Sequence, residues 1–356
     1  EVLNLVLPGT STIPASDNAK LRKAREAGMC MVEMAKAGRK PSDLITKEVL
    51  MNAIMFDMAV AGSTNAVLHI LSYAYELGIK LTLADFEKYA KEIPCINAVV
   101  PSGPYTVVDF HYAGGVMNVM KMLESKLYTD VPSMYGNTWA DMLSRVKAQE
   151  NKVIHSLEKP LFNEPGLKIL RGNLSPNGAI VRPTAVYYEV KYMKGKAKVF
   201  EGDRPAFEAI MAGEIVPGDI IVIRYEGCKG APGMKELMLS IDALIGLGLD
   251  KSVGLISDAR FSGFNYGAII GHVSPEAYDG GNIALVENGD EIVIDIPNGE
   301  VSMLVSEEEL ERRRAAWVCP PLKEEKGCLN IFAKMCRPAE EGGAMQPWDL
   351  DAKFHR

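Results

Sequence analysis

Four loops of the sequence combine glycine with hydroxyl and amide side chains: 8–12 (PGTST), 61–65 (AGSTN), 171–178 (RGNLSPNG) and 258–263 (DARFSG). Such loops bring backbone N–H groups and hydroxyls close to an anion, and the first two precede expected helix N-termini, where the dipole favours a carboxylate or phosphate. Ser11, Ser63, Arg260 and Gly263 are the loop residues placed to contact such an anionic ligand. The competing reading is that these loops are only tight turns and N-caps. None has the spacing of a Walker loop or of GxGxxG, so nucleotide binding is not expected.

The segment 224–236 (RYEGCKGAPGMKE) ends a β-type run, crosses a Gly/Pro loop and opens a predicted helix. It leaves Glu226 and Glu236 near the carboxyl end of a strand, where α/β proteins hold ligands. In the first turn of that helix, Glu236 either complements the dipole or offers a hard oxygen to a divalent ion such as Mg2+. The six cysteines, Cys30, Cys95, Cys228, Cys319, Cys328 and Cys336, form no CxxC pair and are too sparse for a disulfide framework, which points to a reducing, cytoplasmic setting. Cys319, Cys328 and Cys336 lie nine and eight residues apart, a spacing that matches no common metal site. His69 reads as a core histidine on an apolar helix face, and His272, beside Gly271, as a structural one.

The elements that hold these residues follow from periodicity. Apolar positions recurring at three and four predict helices over 16–37, capped by Ser16 or Asp17 and stopped at Gly38, over 42–56, and over 65–77, stopped at Gly78. Shorter helices are expected from 82, over 116–124 and over 138–148, and the apolar run 96–100 between prolines reads as a buried strand. After Pro160 the texture changes to β-type runs at 179–181, 185–192, 197–200, 219–225, 253–257, 282–286 and 291–296. Helices at 204–212, 233–247 and 306–316 interleave with them, the last with the capping-box spacing of Ser306 and Glu309. The fold class is therefore α/β, with a mostly helical part over 1–160 and a β-rich domain over 161–356. The tail from Val318 is expected to be an extended arm packed on the surface or against a second subunit.

A chain of 356 residues with 47% hydrophobic residues can bury a large core and suits two domains. Its formal net charge of -7 comes from 46 acidic and 39 basic residues, without a basic block beyond Arg312-Arg313-Arg314, which argues against nucleic acid or an anionic membrane as partner. No apolar stretch reaches spanning length, and the run 2–7 lacks the basic start of a signal peptide. A small-molecule site is the expectation that remains.

At this point longer motifs carry a resemblance. RYEGCKGAPGMKE at 224–236, ISDARFSG at 256–263 and GHVSPEAYDGG at 271–281, with AGSTNAVLH at 61–69 and LRGNLSPNGAIV at 170–181, resemble the dihydroxy-acid and sugar-acid dehydratase family over nearly the whole chain. The resemblance implies a swivelling, barrel-like β/α C-terminal domain, Mg2+, an iron–sulfur cluster and dehydration of a 2,3-dihydroxy carboxylate to a 2-keto acid, as in branched-chain amino acid biosynthesis. It places the family's proton acceptor on Ser262 and a Mg2+ ligand on Glu236. It also implies a homodimer or homotetramer.

The family's cluster cysteines, and the aspartates and modified lysine of its Mg2+ shell, precede the position matched by Glu1, so the chain resembles the C-terminal two-thirds of such an enzyme. On its own it is expected to hold no cluster and to dehydrate nothing, with apolar surface exposed around 2–7 and 51–59. Substrate signals are mixed. Phe264 follows RFSG where the dihydroxy-acid branch usually has Gly and the sugar-acid branch Thr; AVLH at 66–69 leans to dihydroxy acids, and SDAR at 257–260 and VRPTAV at 181–186 lean to sugar acids such as aldonates. A truncated relative that binds a ligand or a partner without catalysis is the alternative from another class.

Overall fold

In the helical part the expected caps form. Asp17 accepts from the Ala19 amide at 2.7 Å and opens α1 (Asn18–Lys36). The predicted helix over 42–56 is instead two, α2 (Pro41–Leu44) and α3 (Lys47–Val60), because Thr46 leaves the helical conformation to cap α3 through the Val49 amide. Ser63 caps α4 (Thr64–Glu76), and Thr82 with Asp85 forms the capping box of α5 (Leu83–Glu92). Then come α6 (Val107–Tyr112), which the sequence reading left out, α7 (Gly115–Met122) and α8 (Trp139–Leu143), shorter than expected. The computed structural model describes residues 1–346. Its chain divides into one unit of Glu1–Ile169, Ile180–Tyr188 and Gly263–Gly267 and a second of Leu170–Ala179, Glu189–Ser262 and Ala268–Arg356.

The core of the first unit forms around α3. Val49, Leu50, Ile54 and Met58 are buried and pack with Ile70 and Leu71 of α4, Phe86 of α5, Met120 of α7 and Trp139 of α8. Each such side chain contributes about 1.5–3 kcal/mol by leaving water. The expectation of exposed apolar surface over 51–59 is therefore overturned: this stretch lies in the core. Over 2–7, Val2 and Leu7 are buried while Leu5 and Val6 are exposed. The larger exposed apolar face belongs to α1, which buries no residue and shows Leu21, Met29, Met31 and Val32 to solvent. The run 96–100 is buried, but it is no strand. The amides of Ile96, Ala98 and Val100 donate to Ala59, Val153 and Tyr105, three different segments, so no single neighbour forms a ladder with it.

The sheet contains β1 (Lys168–Leu170), β2 (Gly178–Val181), β3 (Tyr192–Phe200), β4 (Asp219–Ile223), β6 (Gly254–Ser257), β8 (Ile269–Ser274), β9 (Glu291–Asp295) and β10 (Glu300–Met303), in the order β1-β2-β8-β6-β4-β3-β9-β10. β3, β4, β6 and β8 pair in parallel, and β9 runs antiparallel to both β3 and β10. Every residue of β4, β6 and β8 is buried, as central parallel strands require. A separate two-stranded parallel pair joins β5 (Glu236–Leu237) to β7 (Arg260–Phe261). Helices α9 (Asp203–Met211), α10 (Leu239–Gly246), α11 (Glu307–Ala316) and α12 (Cys328–Met335) complete the described residues, the last within the predicted extended arm.

Three expectations after Pro160 give way to other local conformations. The run 185–192 carries Pro183 just before it and folds as 3-10 turns at Pro183–Ala185 and Tyr188–Val190. The run 282–286 is a 3-10 helix whose carbonyls at Ala284 and Val286 are taken by the Arg224 guanidinium at 2.6 and 3.1 Å. The helix expected from 233 begins only at Leu239, because Asp203 accepts from the amides of Met238, Leu239 and Ser240 and so fixes the N-terminus of α10 there.

Two glycines test these backbone arguments. A Cβ on Gly195 of β3 would lie 2.1 Å from the Gly218 carbonyl, whereas one on Gly28, inside α1, would meet nothing within 4 Å. Gly195→Ala is expected to cost about 1–3 kcal/mol and Gly28→Ala to gain about 0.5–1 kcal/mol in urea unfolding; equal effects would refute the close approach at Gly195.

Asp57, buried in α3, sets a pH dependence. Burial pushes its carboxyl up from the ordinary 3.8 to about 7, against the opposing charge of Arg182. Its proton is therefore held more tightly in the folded chain, so its contribution to stability is complete below the unfolded value and is lost as pH rises through about 7. Unfolding free energy should fall between about pH 4 and 7, and Asp57→Asn should reduce that slope. An unchanged slope in the variant, read from urea melts at stepped pH, would remove Asp57 as a source.

Candidate active site

Two short strands bring the candidate residues of the second unit together. In the β5–β7 pair Glu236 stands beside Arg260 and Leu237 beside Phe261. Leu237 and Phe261 are buried, so Glu236 and Arg260 project on the opposite side, and alternation along the chain carries half-buried Ser262 to the side of Arg260. Glu236 thus lies on an exposed strand position and not in the first turn of a helix, which removes the helix-dipole role considered for it. The Arg260 guanidinium donates through Nε to the Met234 carbonyl and through Nη2 to the Gly233 carbonyl at 3.3 Å. It thereby braces the left-handed turn, with φ of 88° at Gly233 and 56° at Met234, that delivers Glu236.

The Gly/Pro loop before that turn rests on buried carboxylates. Asp258 accepts from the amides of Tyr225, Glu226 and Ala277 at 3.0–3.1 Å, and Glu276 accepts from those of Lys229 and Gly230 at 3.0 Å. Burial raises the pKa of both acids; the backbone amides oppose the rise at each, and Asp258 adds to it at Glu276. A third buried acid, Glu226, pairs with Lys323 at 2.9 Å and Lys235 at 3.0 Å. Lys323 also donates to the Tyr225 carbonyl at 2.7 Å, and the Trp317 indole donates to the Tyr225 hydroxyl at 3.0 Å, so the segment after α11 is tied across this loop. Of these groups the motif reading quoted Asp258, Glu226 and Glu276 without a role. Acids set in Gly/Pro-rich turns were the available signal.

In the first unit the candidate loops are engaged by their own chain. The amides of Gly9, Thr10 and Ser11 and the Ser11 hydroxyl donate to the Glu1 carboxylate, so this loop does cradle a carboxylate, supplied by Glu1. Ser63 acts as an N-cap, accepting from the Asn65 amide at 3.2 Å. A Cβ on Gly263 would touch Ser63 at an ordinary 3.4 Å from its hydroxyl, and the Gly263 carbonyl accepts from Arg182, which also donates twice to the Gly62 carbonyl, at 2.6 and 3.1 Å. Arg182 is buried, and neither it nor Asp57 was singled out from sequence; an Arg between an apolar run and Pro183 was the only hint. Phe264 is exposed and meets Tyr266 edge-on at 5.9 Å, with Tyr187 stacked on Tyr266 at 6.3 Å. His69 is exposed, which corrects its reading as a core residue; His272 is buried, with φ of 54°.

The residues present do not form a site for the implied metal groups. Among the described residues no three His, Cys, Asp or Glu side chains gather as a metal-binding set, and this includes Cys319, Cys328 and Cys336. A cluster needs thiolates, and burial pushes the thiols of Cys95 and Cys336 up to about 11 and 12 and raises that of Cys228 as well. Glu236 offers a hard oxygen donor but belongs to no set of three such side chains among the described residues.

Comparison with known proteins follows this geometry. The dihydroxy-acid/6-phosphogluconate dehydratase N-terminal description matches residues 1–142 and the corresponding C-terminal description residues 152–343. The chain is 44% identical over 349 residues to a dihydroxy-acid dehydratase of Clostridium novyi (strain NT), covering 97% of this chain and 63% of that protein. It is 45% identical over 347 residues to one of Methanosarcina barkeri (strain Fusaro / DSM 804), covering 96% and 63%, and 43% identical over 354 residues to one of Chloroflexus aggregans (strain MD-66 / DSM 9485), covering 98% and 62%. The chain thus spans about 63% of the length of the curated relatives it matches. No helix among the described residues is long and apolar enough to cross a membrane. With both family descriptions matched in order along the chain, it belongs to the dihydroxy-acid/6-phosphogluconate dehydratase family.

Proposed function

We propose that the protein containing this chain removes water from a 2,3-dihydroxy carboxylate to give a 2-keto acid. The observation that carries the reading is the pairing of Glu236 with Arg260 in β5–β7, with Ser262 directly after β7, in a member of a dehydratase family. In the reaction Ser262, with its hydroxyl ionised, accepts the C2 proton. The electron pair forms the C2–C3 double bond and expels the 3-hydroxyl, which leaves as water with a proton; the enol then ketonises by protonation at C3. Arg260 keeps Glu236 at the rim through its hold on the Gly233–Met234 turn, and Glu236 is the oxygen donor this chain offers to Mg2+. Ser11, Ser63 and Gly263 stay assigned to substrate contact through hydroxyl and backbone groups.

Within the family, relatives named dihydroxy-acid dehydratase support a dihydroxy acid of the branched-chain pathway over an aldonate. The aromatic group of Phe264, Tyr266 and Tyr187, beginning two residues after Ser262, supports the same choice, since its apolar faces suit an alkyl chain better than a polyol. Free thiols among the described cysteines agree with a cytoplasmic enzyme, which we read as a homodimer or homotetramer with an iron–sulfur cluster held outside these residues.

The test uses the full-length protein and 2-keto acid formation from branched dihydroxy acids and aldonates. Ser262→Ala should lower kcat by about 100-fold or more with KM little changed, as loss of a general base does. Glu236→Gln should raise the Mg2+ concentration needed for half-maximal rate. Parent-like turnover in Ser262→Ala would overturn the base assignment, and an unchanged Mg2+ requirement in Glu236→Gln the ligand assignment.

A further inference from the structure

Arg182 is 4% exposed, and all three of its guanidinium nitrogens donate to glycine carbonyls: Nε and Nη2 to Gly62 at 3.1 and 2.6 Å, Nη1 to Gly263. The three residues belong to the first unit. A buried guanidinium committed to main-chain oxygens is costly to desolvate and is retained where geometry matters, because its planar fork fixes two acceptors at once. At Gly62 the packing admits no side chain. A Cβ on Gly62 would lie 1.7 Å from Asp57 Oδ1, and one on Gly263 would lie 3.5 Å from Arg182 Nη2 and 3.4 Å from Ser63 Oγ. Asp57, buried near the end of α3, lies beside Gly62, and its Oδ2 has no hydrogen-bond partner among the described residues. One fork thus joins the loop of Ser63 to the residue that directly follows Ser262.

We propose that Arg182 is a positioning residue: by holding the carbonyl oxygens of Gly62 and Gly263 in one arrangement it fixes the backbone leaving Ser262, and so the aim of that hydroxyl. This inference rests on the reading of Ser262 as the base. It assigns to Arg182 no contact with substrate. Removing the fork should therefore act on turnover more than on binding, since a displacement of about 1 Å at a reacting group costs about 100-fold in rate.

The experiment uses the full-length enzyme in its working form and compares Arg182→Met, Arg182→Lys and Ser262→Ala, with folded content checked by circular dichroism. Expected are a loss in kcat of about 100-fold for Arg182→Met and about tenfold for Arg182→Lys, which keeps charge but not the fork, with KM within about threefold of the parent in both. In Arg182→Ala, ethylguanidinium should restore part of kcat and ethylammonium should not. Parent-like kcat in Arg182→Met, or in Arg182→Lys where the Met variant does not fold, would overturn the proposal. So would a loss confined to KM. Parent-like turnover in Ser262→Ala, in contrast, would strike the reading of the base and leave the loss in the Arg182 variants to be seen on its own.

Discussion

The second unit depends on two carboxylates being buried beneath a loop that has no regular structure of its own. The segment between β4 and β5 runs through Gly227, Gly230, Pro232 and Gly233, and its amides cannot pair with a strand. Asp258 and Glu276 accept from four of those amides, those of Tyr225, Glu226, Lys229 and Gly230, at 3.0–3.1 Å. Leaving such buried amides unsatisfied would cost about 1–3 kcal/mol each, so the acids stabilise the loop even though their own burial is unfavourable. A Cβ on Gly227 would lie 2.7 Å from the Glu276 carboxylate and one on Gly230 2.4 Å from the Tyr225 backbone, which is why glycine recurs there. The delivery of Glu236 to the side of Arg260 follows from that foundation.

The first unit solves a similar problem with the opposite charge. There the loops around Gly62 and Gly263 present carbonyls inward, and a cation, Arg182, gathers them. Acids hold amides in one unit and a guanidinium holds carbonyls in the other. In both, the residues that the family motif quotes by name stand on backbone that buried charges have fixed.

Much of this was legible in the sequence, and what was not has a common cause. Caps are local, so Asp17 and Ser306 could be read from the sequence and lie where expected, while Ser63, named as a substrate contact, caps α4. The central strands announced themselves as unbroken apolar runs, as β4 and β6 show. The errors fall where a distant side chain decides. Arg224 claims the carbonyls of 284 and 286 and turns a β-type run into a 3-10 helix. Thr46 is local, yet its competition with a continuous helix was hidden by good apolar spacing on either side. Ser262 and Glu236 were named from motif alone, whereas their shared side became visible only with the β5–β7 pairing. Arg182 carries little local signature, since its partners are backbone atoms far along the chain.

The cap that Asp203 places on α10 also bears on how this unit gains and loses order. A helix of eight residues is too short to persist by itself, and here its first turn is secured by a side chain more than thirty residues upstream, at the head of α9. The two helices therefore form one cooperative segment: α10 cannot nucleate before α9 has docked, and fraying at Asp203 releases both. Amide protons along α9 and α10 should exchange with solvent together, as one foldon, and the short β5 strand that leads into α10 inherits its rigidity from the same event.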